Sequence, residues 1–507
     1  MPPTELTTPE AHGRLGTRER AFMRLLPPNP QPFDDAKLRA LADAMIIDDT
    51  ELNDGADAEE NLFVPAGYTY FGQFVDHDLT FDTTSSFTDP KAPATNLRTP
   101  AFDLDCVYGA GPDDQPYMYA ADGATLLPED PKATDLQRIA ANGRAVIGDK
   151  RNDENSIVCQ VQLAFIKFHN AVVKQLKGQG LKGGALFTRA RQEVTWTYQH
   201  IVLDDYLRRI VNAHTYDFFG QRRAELGDKA YDLYPHARRT AIPIEFAGAA
   251  YRFGHSMVRT GYRLNAGFKA FIFDGKPLND SSLVGFQPLP ANHVIDDWRR
   301  FFADDTLPPG FRPEKNGPPA VDDNPAVRLQ WAYKIDPSLV LPLKNLPPPV
   351  ANGSLAALNL LRGNLPAFRI ATGQAFAQAL GEPALDAKYL VTRRPSGEGF
   401  TFAPIDPSFA TATPLWFYIL AEAQRATVDY WTDVKKRADL EDDDFMSGPA
   451  SGAQLGPVGG RILLEVFHGL VDEDPRSFRN APEAAGWQPM VGPRLTFWHL
   501  LKFTGLV

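Results

Sequence analysis

Cysteine is nearly absent. Cys106 and Cys159 are the whole supply in 507 residues, too few for a thiolate metal site or a multi-disulfide framework. A single bridge between them is open; so is a pair of half-buried thiols in a reducing compartment, which suits Cys159's place on an apolar helical run. No stretch approaches the roughly 20 consecutive apolar residues that span a bilayer. Met1 to Arg20 mixes Pro, Thr, Glu and Arg without the apolar centre of a secretory signal. The expected location is therefore cytosolic, or outside the cell by a non-classical route. Positive charge is in deficit, with 52 Lys and Arg against 63 Asp and Glu, and the formal net charge of −11 argues against nucleic acid or anionic lipid as partners.

Strand-like alternation is scarce as well, so the 43% of hydrophobic residues must build their core mainly from helices. The clearest is predicted over Ser156 to Lys174, where Ile157, Val161, Ala164, Phe165, Phe168 and Val172 recur at helical spacing. Others are expected over Asp34 to Met45, Tyr68 to Leu79, Leu186 to Val211, Pro243 to Val258, His293 to Phe302, Pro414 to Val428, Pro457 to Val471 and Pro493 to Phe503. Several open on proline, which is tolerated in a first turn. Long polar or Pro-rich connections separate them at 80–132, 269–289, 304–324 and 335–353, and compact domains rarely keep such loops without a use. The expectation is a mainly α protein with little β structure. An N-terminal arm (residues 1–60) would pack on one large helical domain (residues 61–507).

Four segments carry candidate chemistry. In Phe71-Gly-Gln-Phe-Val-Asp-His-Asp78, helical spacing lets Gln73, Asp76 and His77 share a face while Asp78 looks away from it. Gly148-Asp-Lys-Arg-Asn-Asp-Glu-Asn155 sets Arg151 and Glu154 three apart immediately before the apolar helix. Tyr251-Arg-Phe-Gly-His255 puts a histidine on an apolar stripe, and Leu358-Asn-Leu-Leu-Arg362 follows a hundred residues later. Each is bland in isolation: a solvated helix face, a capped helix start, a core histidine, an ordinary helix turn.

Together and in this order, the segments resemble the animal-type haem peroxidases of the peroxidase-cyclooxygenase superfamily. The resemblance covers about Asn61 to Leu380, with a weaker echo in Leu455 to Val471. It implies a helical domain wrapped around haem b, with His77 as distal histidine, Gln73 beside it to orient water or a small anion, and Arg151 as distal arginine. It makes His255 the iron ligand, Asn359 the partner of that imidazole's other nitrogen, and Arg252 and Arg362 neighbours of the haem carboxylates. Asp76 and Glu154 match carboxylates that are ester-linked to haem in family members; here they are either so linked or simply hydrogen-bonded in the pocket. The next residue is Asn155, where a subgroup with a further sulfonium link has methionine, so that link is not expected and strong chloride oxidation becomes doubtful. The run Thr99-Pro-Ala-Phe-Asp-Leu-Asp-Cys-Val-Tyr-Gly109 resembles the family's calcium loop, whose oxygens would come from Thr99, the Ala101 carbonyl, Asp103, Asp105 and Asp78. Aspartate at 105 replaces a frequent serine. Calcium there would lock the distal helix in place.

The resemblance implies hydrogen peroxide as oxidant and leaves the small donor open among phenols, iodide, bromide and thiocyanate. Fatty-acid oxygenation, known within the superfamily, needs a radical tyrosine three residues before the iron ligand. That position is Arg252, and on an α-helix Tyr251 would sit about 100° away. A haem-free adhesion or binding scaffold is the remaining alternative.

Overall fold

The computed structural model describes residues 20–47, 59–81, 95–236, 239, 241–274, 282–303, 328–347, 350–351, 353–396, 399–432 and 454–507. The expected 304–324 connection and the first nineteen residues lie outside these, as do parts of the other long connections. Helices dominate. Among the described residues, the α-helices of eight residues or more are α1 (Asp35–Ala44), α2 (Gly67–Leu79), α3 (Ser156–Gly178), α4 (Gly183–His200), α5 (Ala213–Leu226), α6 (Leu355–Asn364), α7 (Gly373–Leu380), α8 (Leu415–Ala423), α9 (Arg425–Thr432), α10 (Pro457–Glu473) and α11 (Phe497–Thr504). Strands among the described residues form two-stranded pairs only, the longest joining Val391–Ser396 to Gly399–Pro404.

The main hydrophobic core runs from Leu25 to Leu501, and aromatic packing at its centre fixes α2. Phe74 of α2 stacks on Phe165 of α3 at 4.5 Å with the planes 4° apart, and Tyr198 of α4 meets both rings edge-on. Phe71 adds contacts to Tyr206 and Phe497. Offset and edge-to-face pairs of this kind add about 0.5–1.5 kcal/mol each to the area they bury. With Phe71 and Phe74 turned to α3 and α4, helical spacing sends Gln73, Asp76 and His77 elsewhere on α2.

α3 is long and apolar enough to cross a membrane by length and composition, contrary to the expectation that no stretch approaches this; but 83% of its apolar window is buried inside the fold, which makes it a core helix. Asn155 caps it, accepting the N–H groups of Ile157 and Val158. The predicted 186–211 helix begins earlier, at Gly183, and passes through a π-helical segment, Ile201–Tyr206, before its last turn. Residues 20–47 lie against the core: Glu245 accepts the Leu25 and Leu26 N–H groups, α1 packs on α6, and the Asn364 amide bonds both main-chain groups of Phe33.

Two expected helices are corrected. Pro243 to Val258 is α-helical only over Ile244–Gly248, breaks at Ala249 (φ −141°, ψ −66°) and continues as a 3-10 helix over Ala250–Met257. Gly248 there presses so closely on Phe368 and Ile370 that no β-carbon fits without displacing them. His293 to Phe302 contains just two 3-10 turns, Ala291–His293 and Trp298–Arg300. A tertiary bond from the Ile295 N–H to Gln160 and a local one from Arg299 to Asp297 replace the helical ladder.

Cys106 and Cys159 are free thiols, both fully buried rather than half-buried, and burial pushes both far above the usual thiol range. Native protein should therefore leave a thiol-reactive chromogenic disulfide essentially untouched. Unfolding in guanidinium should release two thiols per chain; rapid labelling of the folded chain would contradict this packing.

Candidate active site

A cavity of about 440 Å³ receives side chains from every segment singled out in the sequence. Gln73, Asp76 and His77 reach it from α2, and Arg151 and Glu154 from the residues before α3. Arg252 and His255 reach it from the 3-10 helix, Asn359 and Arg362 from α6.

The two histidines are held alike. Nδ1 of His77 lies 2.7 Å from Oδ1 of Asn152, and Nδ1 of His255 lies 2.7 Å from the Asn359 amide. Burial lowers His77 to about 4, helped by Arg151, and lowers His255 to about 3, helped by Arg252. Both are therefore neutral near pH 7 and keep Nε2 for the cavity. Asn359 turns its Nδ2 toward His255; an iron-ligating tautomer, with its proton on Nδ1, needs the amide rotated so that Oδ1 accepts.

Arg151 is anchored before any ligand arrives. Its Nη2 donates to the His77 carbonyl at 3.2 Å, the Thr80 carbonyl at 2.5 Å and Asp149 at 2.7 Å, and its guanidinium lies 4.6 Å over the Phe81 ring. Burial would raise Asp149, but Arg151 and Arg98 outweigh it and hold that carboxylate well below its ordinary range. Gln73 sits between two neighbours, donating to Glu154 at 3.3 Å and accepting from Asn155 at 3.1 Å. Its orientation is thus set by protein groups.

The two candidate ester carboxylates differ. Burial pushes Glu154 up to about 7 against Arg151 and Arg252. Burial also raises Asp76, but Arg252, His77 and Arg151 overcome it and hold the group below its usual range. Asp76 accepts from Thr80 at 2.9 Å and lies 3.5 Å from Arg252. The Arg252 guanidinium therefore reaches across to α2, with its Nε donating to the Ala247 carbonyl. Tyr251 corrects an expectation: it does line the cavity, although its hydroxyl is spent on the Gly72 carbonyl at 3.1 Å, 3.3 Å from the Tyr206 hydroxyl.

Asp78 faces away from the cavity. Its carboxylate, with those of Asp103 and Asp105, forms a buried group whose oxygens lie within 4.8 Å of one another. Asp78 Oδ1 and Asp103 Oδ2 lack hydrogen-bond partners, and burial raises all three carboxyls, Asp105 to about 7. Leu104 between them holds a left-handed φ of 58°, its N–H on Asp78 at 3.3 Å. Thr99 and Ala101 belong to the same turn, joined by a 2.8 Å main-chain bond. Arg98 links this group to the cavity: Nη1 lies 3.0 Å from Asp105 while Nη2 binds Asp149, the partner of Arg151. Gly148, just before Asp149, packs on the Asp105 and Cys106 carbonyls so tightly that a β-carbon would stand 2.3 Å from the first.

Sequence reasoning missed Asn152, Asp149, Arg98 and the capping role of Asn155. For Asn155 a signal was present, an Asn immediately before an apolar helical run. The bonds made by Asn152 and Arg98 join residues 75 and 51 positions apart, beyond the reach of local pattern.

Residues 92–282 match the family model described as animal haem peroxidase. Among curated proteins, the chain is similar to heme peroxidase 2 of Caenorhabditis elegans, 30% identical over 139 residues, 27% of this chain and 19% of that one. A peroxidase-like protein of Margaritifera margaritifera is 25% identical over 250 residues, 38% of this chain and 31% of that one. The matches thus span under a third of either relative. In fold, the chain resembles peroxidase A from Dictyostelium discoideum, with TM-score 0.60 and 15% identity over 96% of this chain and 93% of that one. The fatty acid alpha-dioxygenase of Arabidopsis thaliana follows at TM-score 0.52 and 15% identity over 94% and 74%.

Proposed function

The chain belongs to the peroxidase-cyclooxygenase superfamily, and from that premise we propose that it is a haem-dependent oxidoreductase which reduces hydrogen peroxide and oxidises a small donor. The observation that carries the reading is one cavity lined by two neutral imidazoles, each tied through Nδ1 to an asparagine amide. That donor set fits haem b. His255 would hold its iron through Nε2, Asp76 and Glu154 would be the carboxylates available for ester links, and Arg362 and a reoriented Arg252 would meet the haem carboxylates. Bound there, haem would supply the redox-active iron at which the peroxide bond is cleaved. His77 Nε2 would take a proton from one peroxide oxygen and return it to the other, which would leave as water. Arg151, already held by Asp149 and two carbonyls, offers fixed positive charge to that departing oxygen.

The buried carboxylates of Asp78, Asp103 and Asp105 support calcium, since Arg98, shared with Asp149, is one charge against three in a buried group. Thr99 and the Ala101 carbonyl would complete the oxygen set. Chelation should lower the melting temperature and slow the reaction with peroxide, and added calcium should restore both. Saturation at 100 times Kd contributes about 2.7 kcal/mol. An unchanged melting curve in chelator would remove the cation from this reading.

To test the function, the chain is expressed with haem precursor, its absorption spectrum recorded, and the protein mixed with hydrogen peroxide and then with phenols, iodide, bromide or thiocyanate in a stopped-flow instrument. A Soret band that shifts within milliseconds and is restored by one of these donors is expected. No Soret band would favour a scaffold. Incubation with a polyunsaturated fatty acid and oxygen should yield no hydroperoxide, because the Tyr251 hydroxyl is committed to the Gly72 carbonyl; a hydroperoxide product would replace this proposal with a dioxygenase.

A further inference from the structure

Behind His77 lies a line of amides that the proposed reaction does not itself require. Nδ1 of His77 meets Oδ1 of Asn152 at 2.7 Å, Nδ2 of Asn152 donates to Oε1 of Gln162 at 2.8 Å, and Nε2 of Gln162 donates to the Cys106 carbonyl at 3.3 Å. Asn152 and Gln162 are both 0% exposed, so water does not compete for these bonds. A main-chain carbonyl can only accept, and it therefore sets the direction of the whole line from its far end. Gln162 must present its nitrogen to Cys106 and its oxygen to Asn152. Asn152 must then present its nitrogen to Gln162 and its oxygen to the imidazole. Any other arrangement sets two donors or two acceptors face to face inside the core. Both amides also sit on fixed backbone: Asn152 in a 3-10 turn whose N–H reaches the Asp149 carbonyl at 3.1 Å, Gln162 in the buried second turn of α3.

We infer that Asn152 and Gln162 are positioning residues that hold His77 as the Nδ1–H tautomer, leaving the Nε2 lone pair as proton acceptor in the cavity. The consequence for peroxide rests on the function proposed above; the tautomer itself does not. A histidine's tautomer follows the bond made by its other nitrogen. The stakes are large, for a wrongly protonated imidazole in a serine protease triad costs about 10⁴ in kcat. Here loss of the acceptor leaves both forms populated, so the expected rate loss is smaller, about 10- to 100-fold.

The test uses the full chain loaded with diamagnetic zinc protoporphyrin and labelled with ring-¹⁵N histidine. Long-range ¹H–¹⁵N spectra are recorded at one neutral pH, and the His77 signals are identified by their loss in His77→Ala. The native chain should show a protonated Nδ1 and a bare Nε2. Asn152→Leu should give a mixed or reversed pattern. In haem-loaded protein the peroxide rate should fall 10- to 100-fold in Asn152→Leu. If Asn152→Leu does not fold, Gln162→Leu takes its place, since it frees the Asn152 amide to turn, and a mixed pattern is again expected. A native chain with Nε2 protonated, or an unchanged pattern in the leucine variant, overturns the inference. The expected tautomers in a chain that ignores peroxide would support the positioning role and defeat the peroxidase reading alone.

Discussion

Alanine at His77 should slow the reaction with hydrogen peroxide by about 10²–10⁴-fold, the range set by loss of one positioned acid–base group. Haem uptake should survive, because the proposed axial ligand, His255, and its partner Asn359 belong to other elements. Arg151→Ala should cost about 10²–10³-fold, as for a single preorganised donor. Its effect should be the lesser, because Arg151 shares its charge with Asp149 and two carbonyls. Stopped-flow records of the Soret band against peroxide concentration give both rates. Native rates in both variants would exclude this pair from bond cleavage.

Arg98→Met should be the most damaging change to stability, about 3–5 kcal/mol, because it strips the counter-charge from two buried carboxylates at once. Asp105 would be left among Asp78 and Asp103, and Asp149 would depend on Arg151 alone. Thermal and urea unfolding with and without calcium would measure it. Saturating cation should recover part of the loss, since it neutralises Asp105, and none of the part that belongs to Asp149. An unfolding free energy within about 0.5 kcal/mol of native, as for an ordinary surface change, would show that neither pair contributes.

The helices that position the distal residues were legible because their apolar faces are long and periodic: α2 and α3 appear within a few residues of their predicted bounds. The 3-10 helix bearing His255 was not, since a break at Ala249 leaves no compositional mark and depends on how closely Gly248 meets Phe368 and Ile370. The residues gathered in the cavity were readable as a set only through the order of four motifs. What supports them was hidden for a simpler reason: Asn152 meets His77, Gln162 meets the Cys106 carbonyl and Arg98 meets Asp149 across 51 to 75 positions of chain, and no short window contains both partners.

The close approach at Gly148 makes the carboxylate turn and the arginine-bearing strip one mechanical part. With a β-carbon already excluded at 2.3 Å from the Asp105 carbonyl, there is no slack in which one strip can slide past the other. Any disturbance that unseats the turn at Asp103–Asp105 must drag Asp149 with it, and the guanidinium clasped by Asp149 loses its aim. This narrow seam therefore tolerates no added methyl group.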